Sequence, residues 1–203
     1  MRILSRGAEA KLLASDYLGR KSVVKMRERK KYRAKELDEK IIAERLRNEC
    51  SLLSRAKKAG VRTPAIWNVE PENFTLVLEF IRGRTLKEEL LKGTRGAEKL
   101  CKLAGKEVAK LHSNGIVHGD LTTGNIIVHG KMLAFLDFGL GKISGKAEDF
   151  AVDMLAFRKT FRATHFNLLS GWKALEKSYA AAFPRGKEVL RQIERVEARA
   201  RYY

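Results

Sequence analysis

The apolar positions along the chain change rhythm near residue 83. Before it they come in short runs separated by turn chemistry. Ile3-Leu4, Leu12-Leu13-Ala14 and Val23-Val24 read as strands, with Asp16-Tyr17-Leu18-Gly19 as the turn between the last two. Residues 34–58 break that pattern. They are rich in Lys, Glu, Arg and Leu and free of Gly and Pro. Ile42, Leu46, Leu53 and Ala56 fall near helical spacing, which predicts one long helix. Gly60 stops it and Pro64 follows. Ile66-Trp67-Asn68-Val69 and residues 75–81 read as two further strands around the turn Pro71-Glu72-Asn73.

After Gly83 helical spacing dominates. Thr85 caps a short helix reaching Leu91, with Glu88 at the capping-box position. Residues 96–113 form a longer helix carrying Leu100, Leu103, Val108 and Leu111, and helices are expected over 149–183 and 187–202. Two apolar runs, Ile126-Ile127-Val128 and Met132-Leu133-Ala134-Phe135-Leu136, are of strand type. The expectation is an α+β chain of two lobes and one domain, 1–203. An antiparallel-sheet lobe with one long helix spans 1–81, and a mostly helical lobe spans 82–203.

Composition narrows the setting. At 203 residues and 44% hydrophobic content the chain can bury a core. No apolar run approaches the roughly 20 residues that span a bilayer, and charge follows Met1-Arg2-Ile3-Leu4 too soon for a leader. Cys50 and Cys101 lie far apart with no Cys-x-x-Cys pattern, so they read as reduced thiols and the expected location is cytoplasmic. The 42 Lys and Arg residues face only 24 Asp and Glu, for a net charge of +18. A heat-adapted surface raises both signs together. A one-sided excess points to a polyanionic partner, nucleic acid first.

The chemistry is concentrated in His118-Gly119-Asp120-Leu121-Thr122-Thr123-Gly124-Asn125 and in Asp137-Phe138-Gly139. Asp120 is placed to accept a proton from a hydroxyl or a water. Asn125, five residues on, and Asp137 are placed to share Mg2+ ions that bridge nucleotide phosphates. That is the arrangement of kinase-type phosphoryl transfer. Upstream, Ser5-Arg6-Gly7-Ala8-Glu9-Ala10 lies between two strands, where small residues let backbone N–H groups approach phosphate oxygens, although one Gly makes a weak glycine-rich loop and Glu9 is out of place beside phosphates. Lys25 follows two Val at a strand end, as in the strand whose Lys pairs the α- and β-phosphates. The long helix should offer a carboxylate to orient it: Glu49, beside the apolar face, ahead of Glu44. At the lobe joint, the Glu79 carbonyl and the Ile81 N–H are the expected adenine contacts, with Leu78 guarding the inner pocket. His118 supports the loop. Asp153 sits in an apolar helix, where a carboxylate needs donors, and the loop backbone is the expected source.

These residues carry a resemblance. The loop Gly7-Ala8-Glu9-Ala10, the run Lys25-x-Arg27-x-x-Lys30-x-Tyr32-Arg33, the helix end from Glu49 to Val61, the Thr-Thr-Gly-Asn loop, Asp137-Phe138-Gly139-Leu140 and Ala151-Val152-Asp153 all belong to it. Together they resemble the small atypical kinase/ATPase subunit of the KEOPS complex, the p53-related protein kinase family, in its archaeal single-domain form. Asp153 follows Asp137 by only 16 positions, and no Ala-Pro-Glu anchor lies between them. Gly119 stands where other kinases keep an Arg that reads an activating phosphate. The peptide-substrate platform is thus missing, which fits an ATPase or autokinase with a constitutively formed or partner-gated site. The resemblance implies ATP and Mg2+ as cofactors, and a threonylcarbamoyl transferase subunit, other KEOPS subunits and tRNA as partners. It also implies ATP hydrolysis in support of threonylcarbamoyladenosine formation, with Ser/Thr autophosphorylation. Arg191, Arg195 and Arg199 recur every four residues and Arg201 follows, which suits tRNA contact. Lys30, Lys31, Arg33 and Lys35 form a second basic cluster, either solvated or on tRNA. The alternatives are a RIO-type ribosome-maturation kinase/ATPase, whose metal-binding tripeptide usually differs, and a non-catalytic scaffold.

Overall fold

The computed structural model describes residues 2–7, 10–30, 32–93 and 96–199. Strands β1 (Arg2–Arg6), β2 (Ala10–Tyr17) and β3 (Arg20–Arg27) form an antiparallel meander. The turn between β2 and β3 is tighter than the sequence suggests. Asp16 and Tyr17 stay in the ladder, opposite Lys21 and Arg20, and only Leu18 and Gly19 turn, both at positive φ (50 and 76). That two-residue turn matches the strand twist. Strands β4 (Ile66–Glu70) and β5 (Thr75–Glu79) complete a five-stranded sheet in the order β1-β2-β3-β5-β4. The last strand is two residues shorter than expected: it ends at Glu79, and the Phe80 N–H still reaches the Lys21 carbonyl in register.

Helix α1 (Lys35–Lys58) lies on one face of this sheet. Its Ile42, Leu46, Leu52, Leu53 and Ala56 are buried, the last four in the main core with Leu76 and Leu78. The other face holds a smaller cluster of Leu13, Val24 and Val77. Sheet and helical lobe are stitched together at Arg62, whose carbonyl accepts from the Phe135 N–H at 2.8 Å.

In the second lobe β6 (Arg84–Thr85) leads into α2 (Leu86–Leu91), where Thr85 and Glu88 form the reciprocal capping box. Helix α3 (Ala97–Ser113) is followed by β7 (Ile116–Val117), β8 (Ile126–His129), β9 (Met132–Phe135) and β10 (Lys142–Ile143). Strands β6, β8 and β9 form one small sheet, and β7 with β10 another. The two-residue strands are set by tertiary pairing and leave no periodic trace. The expected helix over 149–183 is two helices, α4 (Ala147–Thr164) and α5 (Leu169–Ala182). The break at His165 is closed by the Leu168 N–H on the His165 carbonyl. Helix α6 (Gly186–Arg199) packs Val189 and Ile193 into the core, and Glu197 pairs with Arg158 of α4 at 2.5 Å. Aromatic rings fill the space between these helices: Phe150, Phe157, Phe161, Trp172 and Tyr179 are fully buried. Among the described residues no helix is long and apolar enough to cross a membrane.

Candidate active site

The expected residues converge on the cleft between the two lobes. Its inner part, of about 470 Å³, is lined by Leu4, Leu12, Val23, Leu78, Ile81 and Leu136, with Lys25, Glu49, Asn125 and Asp137 at one end. Its outer part, of about 410 Å³, is lined by Ser5, Gly7, Ala10, Lys25, Asp120, Asn125 and Asp137. Apolar walls with a few convergent polar groups, at this size, suit a small-molecule site.

Each polar group is positioned by a local reason. Lys25 lies near the end of β3, and Glu49 faces it from the buried side of α1, with Nζ to Oε1 at 2.6 Å. Glu44, the other carboxylate considered, is exposed. Lys25 Nζ also lies 2.7 Å from Asp137 Oδ1. Asp137 itself sits at φ 57, a left-handed conformation tolerated by Asp and concentrated at functional sites. Burial works to raise the Asp137 pKa, but Lys25 and the Gly139 N–H outweigh it and hold the carboxyl below its ordinary range.

The catalytic-type loop hangs on Asp153. Its carboxylate accepts the His118 N–H at 2.8 Å and the Gly119 N–H at 2.9 Å, as the apolar helix required. His112 of α3 lies 3.2 Å away through Nε2, and its Nδ1 is 2.7 Å from the Tyr179 hydroxyl of α5. A carboxylate accepts only, so His112 donates to it. Burial raises the Asp153 pKa, yet the bonds from His112 and the loop overcome that and the acid is held below its ordinary value. His118 turns Nε2 to the Leu136 carbonyl at 2.9 Å, tying the loop to the strand that leads into Asp137. Its burial pushes the imidazole pKa down. Gly119 takes φ 81, and a Cβ there would lie 2.2 Å from the Leu140 carbonyl oxygen, so no Arg fits in this geometry. Asn125 donates its amide to the Asp120 carbonyl and to Asp120 Oδ2, both at 2.9 Å.

At the lobe joint the N–H groups of Glu79 and Phe80 are taken by the Ala65 and Lys21 carbonyls. The Glu79 side chain pairs with Arg62 and accepts the Ala65 N–H. Burial opposes ionisation of Glu79, and Arg62 with the Ala65 N–H lowers its pKa below normal.

Other expected positions behave differently. The Gly7 N–H closes its own hairpin on the Ala10 carbonyl at 3.0 Å, so that amide is already bonded. Arg6 is exposed and pairs with Glu28 at 3.3 Å. Ala8 and Glu9 lie outside the described residues, as does Arg201. Arg191 and Arg195 are exposed on α6, and Arg199 ends that helix. Lys30 and Arg33 are folded back on a buried Asp38, the first through its backbone N–H at 2.7 Å and the second through Nη1 at 3.2 Å.

Several residues of the site carried no assigned role in the sequence reading. Arg27 places Nη2 2.6 Å from Glu49 Oε2, and strand alternation from Val23 and Lys25 is the signal that finds it. His165, whose pKa is lowered by burial and by Lys87, faces Thr123 of the loop at 3.1 Å. His112, Tyr179 and His165 leave no such signal, since their partners are distant in sequence.

Comparison with known proteins agrees with this geometry. The protein kinase domain model matches residues 7–169. The KEOPS complex subunit Bud32 of Pyrococcus abyssi is 35% identical over 212 residues, covering 100% of this chain and 96% of that protein. A probable bifunctional tRNA threonylcarbamoyladenosine biosynthesis protein of Methanosarcina mazei is 43% identical over 98% of this chain, and that of Methanobrevibacter smithii is 39% identical over 98%. The chain spans about a third of the length of these bifunctional relatives, 35% and 36%. Among solved structures, the Rio2 kinase from Chaetomium thermophilum in its ADP/Mg2+-phosphoaspartate complex superimposes with a TM-score of 0.64. That match covers 100% of this chain and 72% of the other at 15% identity, a likeness of fold. The chain belongs to the protein kinase family, in the branch represented by the KEOPS subunit Bud32.

Proposed function

We propose that this chain is a Mg-ATP-dependent kinase/ATPase that supports threonylcarbamoyladenosine modification of tRNA within a KEOPS complex in the cytoplasm. The carrying observation is the convergence of Lys25, Glu49, Asp120, Asn125 and Asp137 around one cleft, with Lys25 within 2.7 Å of both Glu49 and Asp137. The wider setting rests on relatives whose names include the KEOPS subunit Bud32 and tRNA threonylcarbamoyladenosine biosynthesis.

The residues fit the cofactors. The apolar walls suit adenine, and they include Leu78, Glu79 and Ile81, the residues expected to guard the inner pocket and to offer the carbonyl and N–H edge contacts. For Mg2+ the donors are hard oxygens. The Asn125 nitrogen is already bonded to Asp120, which leaves its carbonyl oxygen, in the cleft that Asp137 also lines, for a cation. Two protein ligands with phosphate oxygens and water is the usual Mg2+ arrangement. When bound, the cation neutralises charge on the phosphates. Lys25, held by Glu49, orients the phosphates. Asp120 orients a water or a Ser/Thr hydroxyl and takes its proton. His118 and Asp153 hold the loop. Ser5, Gly7 and Ala10 line the outer cleft on the phosphate side, and Arg191, Arg195, Arg199 and Arg201 offer cations to tRNA.

The test is Mg-dependent ATP hydrolysis by the wild type and Asp120→Ala, alone and with the transferase partner and tRNA. Turnover should rise with partner and tRNA and fall by about 10²–10⁴-fold in the variant. Unchanged turnover in the variant would remove Asp120 from the mechanism.

A further inference from the structure

Strand β3 alternates faces, so Val23, Lys25 and Arg27 point the same way. Val23 and Lys25 line the inner cleft, and Arg27 joins Lys25, Asp120, Asn125 and Asp137 around the outer one. Arg27 is only 7% exposed. It divides Glu49 with Lys25: each carboxylate oxygen receives one cation, both at 2.6 Å. It also lies against the loop that carries Asp137. A Cβ at Gly139 would lie 2.4 Å from Arg27 Nη2, so a side chain there would have to displace the guanidinium.

We propose that Arg27 is a positioning residue of the nucleotide site, neutralising Glu49 so that the Lys25 charge faces the polyphosphate, and seating Gly139 so that Asp137 is held at the cleft. This inference rests on the nucleotide reading above. A buried carboxylate needs compensation. With Lys25 alone, Glu49 would consume that compensation, and Asp137 would leave the phosphate end net negative. With Arg27 present, two cations meet two carboxylates, and the Lys25 charge is left over whenever Asp137 turns to a metal. The outer cleft then attracts the triphosphate where it would otherwise repel it.

The experiment is calorimetric titration of the full chain, as wild type, Arg27→Met and Arg27→Lys, with adenosine and with Mg-ATP. Adenosine reports the apolar cleft alone. Arg27→Met should keep adenosine affinity within about twofold and lose roughly tenfold or more in Mg-ATP affinity, and Arg27→Lys should recover most of that loss. A purely structural role would weaken both ligands together. Equal Mg-ATP affinity in wild type and Arg27→Met overturns the inference, and so does an Arg27→Lys as weak as Arg27→Met. If Arg27→Met no longer binds adenosine, Arg27→Lys decides against wild type: an ATP-to-adenosine ratio within threefold supports the inference and a larger loss overturns it. A wild type that binds neither ligand overturns the nucleotide reading, and this inference with it.

Discussion

Replacing Asp153 with Asn tests how the catalytic-type loop is held. The carboxylate accepts three bonds: the Gly119 N–H on Oδ1, and the His118 N–H and His112 Nε2 on Oδ2. An amide has one accepting oxygen and one donating nitrogen. Its best orientation keeps the oxygen toward His118 and His112 and turns the nitrogen to the Gly119 N–H, donor against donor. Leaving that part-buried N–H without an acceptor costs about 1–3 kcal/mol, and the two remaining bonds lose their charge assistance at about 1 kcal/mol each. The expected destabilisation is about 3–5 kcal/mol, a large share of the 5–15 kcal/mol typical of a folded chain. Urea unfolding at pH 7 measures it. The pH dependence has a definite sign. The Asp153 pKa is lower in the folded chain than in the unfolded one. Its contribution is therefore complete above the unfolded value near 4 and is lost as pH falls through the folded value. The gap between wild type and variant should be widest at neutral pH and close on acidification. A gap under about 1 kcal/mol at pH 7, or one that widens in acid, would refute this account of the loop.

Gly119→Ala should also destabilise the chain, by about 2–4 kcal/mol, from left-handed strain together with the new methyl driven into the Leu140 carbonyl; thermal melting with activity at a permissive temperature checks it. Thr85→Ala removes one half of the capping box and should cost about 1 kcal/mol in urea unfolding. Cys101 is fully buried with its pKa pushed up to about 12, so in the native chain it should resist alkylation at pH 8 and react only after unfolding, which mass spectrometry of labelled peptides reads out.

The sequence carried the parts of this fold that depend on neighbours in sequence, and missed those made by distant partners. The long helix was legible because Ile42, Leu46, Leu53 and Ala56 repeat at helical spacing, and the same wheel put Glu49 against the sheet while Glu44 faces water. Asp153 was legible because a carboxylate among apolar neighbours needs donors, and it has them. The end of α4 was not legible. Thr164-His165-Phe166-Asn167-Leu168 contains neither Gly nor Pro, and the break follows from packing His165 against Phe161 and Thr123. The bond that closes the hairpin at Gly7 was not legible for a different reason. A small residue leaves room for a phosphate, but it equally lets the N–H close on Ala10. Arg27 was visible as a residue of the family pattern, while its bond to Glu49 depends on how strand and helix face each other.

The shared position of Lys25, between Glu49 and Asp137, has a thermodynamic consequence. An anion that arrives alone at Lys25 must separate it from Asp137 and strand the carboxylate. A cation that arrives alone at Asp137 strands the lysine. When both arrive, one rupture serves two ligands, so each raises the other's affinity by the same factor. Linkage of this kind needs no movement of the lobes, because it is written into one ion pair 2.7 Å long.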